Sequence, residues 1–123
     1  LIYKDYIMRQ IMLFTRYMGR ILFRRDQPGA EIEMLDYQEA AVGSILWEEL
    51  QILLAAKNLN EGENLVFTRV EADPSRENLA AALCFYQALL MLLPEDLAAA
   101  DFSMAEIEEG LADLAEIYGF TQV

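Results

Sequence analysis

Apolar residues recur at helical intervals along almost the whole chain. In residues 3–25, Ile7, Ile11, Phe14, Met18 and Ile21 follow a 4-3-4-3 spacing, which lines one face of a helix at about 3.6 residues per turn. Asp26-Gln27-Pro28-Gly29 ends that helix, because proline and glycine are turn formers. Asp36-Tyr37-Gln38-Glu39 matches a capping box and opens a second helix predicted to run to Ala56, with Val42, Leu46, Leu50 and Leu53 as its core stripe. Trp47 falls on an adjoining face. Asn60 is placed to cap a third helix over 61–72 that carries Leu65, Val66 and Val70. Asp73-Pro74 closes it and opens the next, proline being tolerated at a first helical position.

The fourth helix repeats the 4-3-4-3 spacing at Leu79, Leu83, Tyr86, Leu90 and Leu93. Ala80, Ala81, Cys84, Phe85 and Ala88 fill its other sides, and a helix apolar all round is expected to be buried. Pro94 starts a short fifth helix over 94–100. The last helix has the fullest local grammar: Ser103 and Glu106 form a capping box, Phe102 and Ile107 a hydrophobic staple, and Gly119 a left-handed terminator. Its stripe is Ile107, Leu111, Leu114 and Tyr118. No segment sustains period-two alternation. The fold class expected is all-α, an antiparallel bundle of five to six helices in a single domain spanning 1–123.

Composition sharpens this picture. The chain has 123 residues, 55 % of them apolar, enough to bury roughly two-thirds of its unfolded surface without a metal or disulfide staple. The apolar excess calls for a well-filled core or a surface covered by a partner. A single cysteine fits a reducing compartment, and the expected location is cytoplasmic. Arginines interrupt the apolar N-terminal stretch, so it has no signal-peptide core. The run Leu79–Leu93 is fifteen residues long, short of the ~20 needed to span a bilayer. The chain begins at Leu1, so an initiator methionine or a tag remnant is expected to precede it.

Candidate chemistry is sparse. There is no histidine, which removes the commonest proton shuttle and a leading metal ligand. Glu106, Glu109, Asp113 and Glu116 share one face of the last helix, opposite its apolar stripe, where charge is normally solvated. Cys84 lies inside the most apolar helix with no cation within a turn, so an inert thiol is expected. Ser44, Ser75 and Ser103 have no base in their pattern. No catalytic, metal or cofactor site is expected.

Three stretches together resemble a small family of uncharacterised bacterial proteins of unknown function, found mainly in Gram-positive lineages. They are Asp5-Tyr6-Ile7-Met8-Arg9-Gln10-Ile11, Asn60-Glu61-Gly62-Glu63-Asn64-Leu65, and Phe102 through Gly119 with its Glu108-Glu109-Gly110-Leu111 centre. The resemblance implies an all-helical fold and no established activity. Ala82, Tyr86 and Pro94 also resemble the second helix of a tetratricopeptide hairpin. Arg69 and Val70 depart from that motif, and no second copy follows near its period.

Charge is distributed unevenly. Residues 1–25 hold six basic residues and one acidic one, net +5, while the remainder holds three basic and twenty acidic, net −17, for a total of −12. That total disfavours nucleic acid and anionic membranes as partners. Arg9, Arg16, Arg20 and Arg24 form a stripe on the first helix, open to three readings, one of them DNA binding by this helix, which the −17 remainder would oppose by repelling phosphates. The arginines can pair with acidic helices of the same chain. Alternatively, a second apolar stripe of Met8, Met12, Gly19 and Phe23 meets another chain, with Arg9, Arg16 and Arg20 beside it. Methionine suits irregular partner surfaces. The function expected is a non-catalytic helical protein–protein interaction module, self-associating as a homodimer through this helix. The alternative is a helical pocket for a small apolar or amphipathic ligand.

Overall fold

The computed structural model describes residues 2–22 and 34–119, with side chains described over 4–17 and 38–119. Among these residues there are seven helices and no strand: α1 Ile2–Leu22, α2 Met34–Ala41, α3 Ile45–Ala55, α4 Leu59–Ala72, α5 Arg76–Leu90, α6 Pro94–Ala99 and α7 Met104–Ile117. The all-helical bundle read from the periodicity is the fold observed, with one more helix than the upper expectation.

The extra helix arises where the second predicted helix breaks. Gly43 has φ +82°, a left-handed conformation that glycine adopts without a Cβ penalty. Ser44 follows in extended geometry and accepts the Trp47 N–H on its hydroxyl at 3.2 Å, which starts α3 afresh. The break takes Val42 out of the expected core stripe and leaves it 78 % exposed, while Leu46 and Leu50 stay buried. The expected capping box at Asp36 falls inside α2, which is already helical at Met34, and the Asp36 side chain lies outside the described ones.

Other boundaries shift by a residue or two for local reasons. Asn58, not Asn60, is the N-cap residue of α4. The Asn60 side chain instead donates to the Ala100 carbonyl at 2.9 Å. Pro74 precedes α5 rather than opening it, since Ser75 is the cap and accepts the Asn78 N–H at 3.1 Å. Leu93 becomes the N-cap residue of α6 and is exposed rather than core. Pro94 occupies the first turn of α6, and the Ser103–Glu106 capping box of α7 is complete, as the sequence predicts.

Among the described residues, four helix ends turn through left-handed residues: Gly43, Lys57, Asp101 and Gly119. Lys57 and Asp101 close Schellman-type turns, in which the Asn58 N–H reaches the Leu53 carbonyl at 2.9 Å and the Phe102 N–H reaches the Leu97 carbonyl at 3.0 Å. These turns satisfy carbonyls that a helix end leaves open.

Helix α5 is the axis of the bundle. Helices α1, α2, α3 and α4 all pack on it, α7 packs on α1, and α3 packs on α4. Its whole length from Leu79 to Tyr86 is buried, as expected of a helix apolar on every side. Three long-range bonds fix the directions. Asn60 ties the start of α4 to the end of α6. The Tyr118 hydroxyl donates to the Ser75 carbonyl at 2.7 Å, bringing the end of α7 to the start of α5. The Tyr17 hydroxyl donates to the Tyr118 carbonyl at 3.3 Å, drawing α1 to the same end. Arg69 bridges α4 to α3, one guanidinium nitrogen lying 2.9 Å from both oxygens of Glu49.

Candidate functional site

The α1 surface divides as a helix of this spacing must. Ile7, Ile11 and Phe14 are buried, and the buried Thr15 hydroxyl is satisfied by the Ile11 carbonyl at 2.9 Å. Met8, expected on the outward stripe, is half-buried and packs against the core. Met12 does face outward at 45 % exposure, flanked by Tyr6 at 43 % and Leu13 at 40 %. Lys4 and Arg9 are exposed and Arg16 is half-buried. The side chains of Gly19 and Arg20, and Phe23 altogether, lie outside the described residues. The outward face of α1 is therefore a mixed apolar and basic surface, centred on Arg9 and Met12, with Met8 at its inner edge.

A second centre lies inside the bundle, and periodicity gives no hint of it. Tyr86 of α5 is fully buried, and its hydroxyl donates to Glu63 Oε2 of α4 at 2.7 Å. Two helix-interior glycines make room for the ring pair Phe85–Tyr86, whose centroids are 5.5 Å apart in an edge-to-face arrangement. A Cβ on Gly62 of α4 would stand 2.6 Å from Phe85 Cε1. A Cβ on Gly110 of α7 would overlap the Tyr86 hydroxyl and stand 2.9 Å from Glu63 Oε2. Glycine in a helix interior costs about 1 kcal/mol against alanine, so its presence signals close approach. That signal was available in the sequence: Gly62 and Gly110 sit in two of the three stretches that carry the family resemblance.

The electrostatics of this centre follow from its position. Burial raises the Glu63 pKa, the Tyr86 hydrogen bond lowers it in part, and the negative charges of Glu106, Asp113 and Glu109 raise it again. Burial, reinforced by Glu63, raises the Tyr86 pKa, so the phenol remains a neutral donor. The chemistry available here is proton uptake by Glu63. Glu109, Asp113 and Glu116 are exposed along α7 and Glu106 is half-buried. Among the described residues no group of three or more carboxylates and thiols is placed to hold a metal ion.

Cys84 is buried and immediately precedes the ring pair in the chain, and burial pushes its thiol up to about 12. A thiol in that state is a poor nucleophile near neutral pH. Ser75 and Ser103 are engaged as caps of α5 and α7, and Ser44 as the cap of α3. Burial raises the pKa of Tyr118 as well, assisted by Asp73 and Glu77, which suits its role as a structural donor to Ser75. No described helix is long and apolar enough to cross a membrane.

Fold and centres together define an all-helical bundle with the Tyr86–Glu63 hydrogen bond inside it and exposed apolar side chains on α1 and α3. The chain belongs to the family of unknown function DUF6483, whose model matches residues 1–119. The match spans all three stretches on which the resemblance was read, and the family has no assigned activity. No curated protein matches the chain. No solved structure matches it either.

Proposed function

We propose that this protein is a non-catalytic helical interaction module, working in a reducing cytoplasm, whose partner is protein and most simply a second copy of itself. The observation that carries this reading is the outward face of α1. Tyr6, Met12 and Leu13 surround the exposed Arg9 on one surface of a helix whose opposite side is core. Apolar side chains clustered beside a charge on an outer helix are the usual composition of a contact surface. The charge asymmetry supports the same reading. A segment of net +5 belongs to a chain otherwise at −17, which favours an acidic protein surface over phosphate or anionic lipid as its counterpart. The interior carboxylate and phenol support it indirectly, since both are accounted for by packing α4, α5 and α7 together.

Light scattering on the eluting protein tests the proposal. The wild type is expected to elute with twice the chain mass at tens of micromolar. Met12→Glu places a charge on a half-exposed site, so the chain should fold and elute at the single-chain mass, because an unpaired carboxylate inside a contact is costly. A single-chain mass for the wild type ends the self-association reading.

A further inference from the structure

We infer that the outward face of α1 docks on the outer face of α3 in a second copy, setting Tyr6, Arg9 and Leu13 against the partner's Ile45, Glu48 and Ile52. The inference rests on the self-association proposed above and names the surface that receives α1. Helix α3 turns Leu46 and Leu50 into the core, yet Ile45 and Ile52 on its other side are 68 % and 70 % exposed. A helix apolar on both sides is expected to be covered on both. Among the described residues, α3 packs on α4 and α5, and Ile45 and Ile52 are covered by neither.

Charge selects the occupant. The outer face of α3 carries the exposed Glu48, and no basic residue occurs from Ile45 to Ala55. The outer face of α1 carries the exposed Arg9 and the half-buried Arg16, with the exposed Asp5 a turn before Arg9, so it is net basic. The two faces are complementary in charge and alike in apolar character. They also share a register: Tyr6, Arg9 and Leu13 stand at positions i, i+3 and i+7, and so do Ile45, Glu48 and Ile52. Residues at those intervals lie on one helix face. Laid together, the helices pair Arg9 with Glu48 and place an apolar pair on either side. A two-fold contact of α1 with α1 centred on Arg9 would instead bring the two Arg9 side chains towards each other, and like charges across an interface disfavour association. Copies related by a two-fold axis form the α1–α3 contact twice, which closes the assembly at two chains.

Charge reversal tests the pairing. Sedimentation velocity is run on the wild type, Glu48→Arg, the double variant Arg9→Glu with Glu48→Arg, and Ile52→Glu, with circular dichroism confirming that each is folded. All three positions are exposed. Glu48→Arg should weaken dimerisation by about tenfold or more, equivalent to roughly 1.4 kcal/mol, and the double variant should recover most of the loss. Ile52→Glu should weaken it as well. A dimeric wild type with unchanged Glu48→Arg and Ile52→Glu overturns the α1–α3 contact and leaves self-association standing. Loss in Glu48→Arg without recovery in the double variant overturns the register. A monomeric wild type overturns both proposals together.

Discussion

Helices α3 and α5 are built from nearly the same kind of sequence and meet opposite fates. Both carry apolar residues on every side. Helix α5 is enclosed by α1, α2, α3 and α4, and it buries Leu79 through Tyr86 completely. Among the described residues, helix α3 packs on α4 and α5 and leaves Ile45 and Ile52 largely in solvent. The difference lies in position, not composition. α5 lies where α1, α2, α3 and α4 converge, whereas α3 packs on α4 and α5 and is joined to α2 by a glycine turn. An apolar surplus in a helix can therefore signal either an internal axis or an external contact.

The largest expected effect separates the two helices by stability. Leu83→Ala in α5 removes a fully buried side chain and should cost about 2–5 kcal/mol in urea unfolding. Ile52→Ala in α3, measured at a dilution where the chain is monomeric, should change stability by only about 0.5 kcal/mol or less, as expected of a surface site. Equal losses at both positions would mean that the outer face of α3 is core within one chain, and the comparison would fail.

Gly110 tests how tightly the axis is enclosed. Gly110→Ala should destabilise by about 1–3 kcal/mol through overpacking against Tyr86, despite the better helix propensity of alanine. A gain in stability would show that α7 can shift away without loss. Gly62→Ala should cost less, because its nearest neighbour is the edge of the Phe85 ring.

A smaller effect, read as a pH dependence, comes from Glu63. Its folded pKa is raised above the ordinary value of 4.5. Its contribution to stability is therefore fully present below the unfolded pKa and is lost as pH rises through the raised folded value. Glu63→Gln keeps an acceptor for the Tyr86 hydroxyl and has no proton to lose. It should flatten the stability profile above pH 4.5 and be more stable than the wild type at neutral pH. A steeper fall for Glu63→Gln would contradict the assigned sign.

Much of this fold was legible in the sequence because it is local. The α1 seam of Ile7, Ile11 and Phe14, the Ser103–Glu106 box, the Gly119 terminator and the burial of α5 all follow from residues within a turn or two of one another. The break at Gly43 was hidden because Val42, Leu46, Leu50 and Leu53 keep helical spacing straight through it. Only the pairing of a left-handed glycine with a capping serine marks the end of α2. Left-handed Lys57 and Asp101 were hidden for the opposite reason, since neither is the glycine or asparagine that usually announces such a turn. The Tyr86–Glu63 bond joins residues twenty-three positions apart and leaves no periodic trace, although the helix-interior glycines at 62 and 110 pointed to close approach there. Of the expected α1 surface, Arg9 and Met12 could be read directly. Met8 turned inward because it lies next to the Ile7–Ile11 seam.

The central claim is that the apolar surplus of the outer helices is covered by a second chain, and sedimentation velocity of the intact wild type across a dilution series tests it most directly. A chain of 14.0 kDa is predicted to sediment as a dimer at tens of micromolar and to move towards the monomer on dilution, while Ile52→Glu dissociates at higher concentrations than the wild type. A wild type that stays monomeric at every concentration would contradict the account.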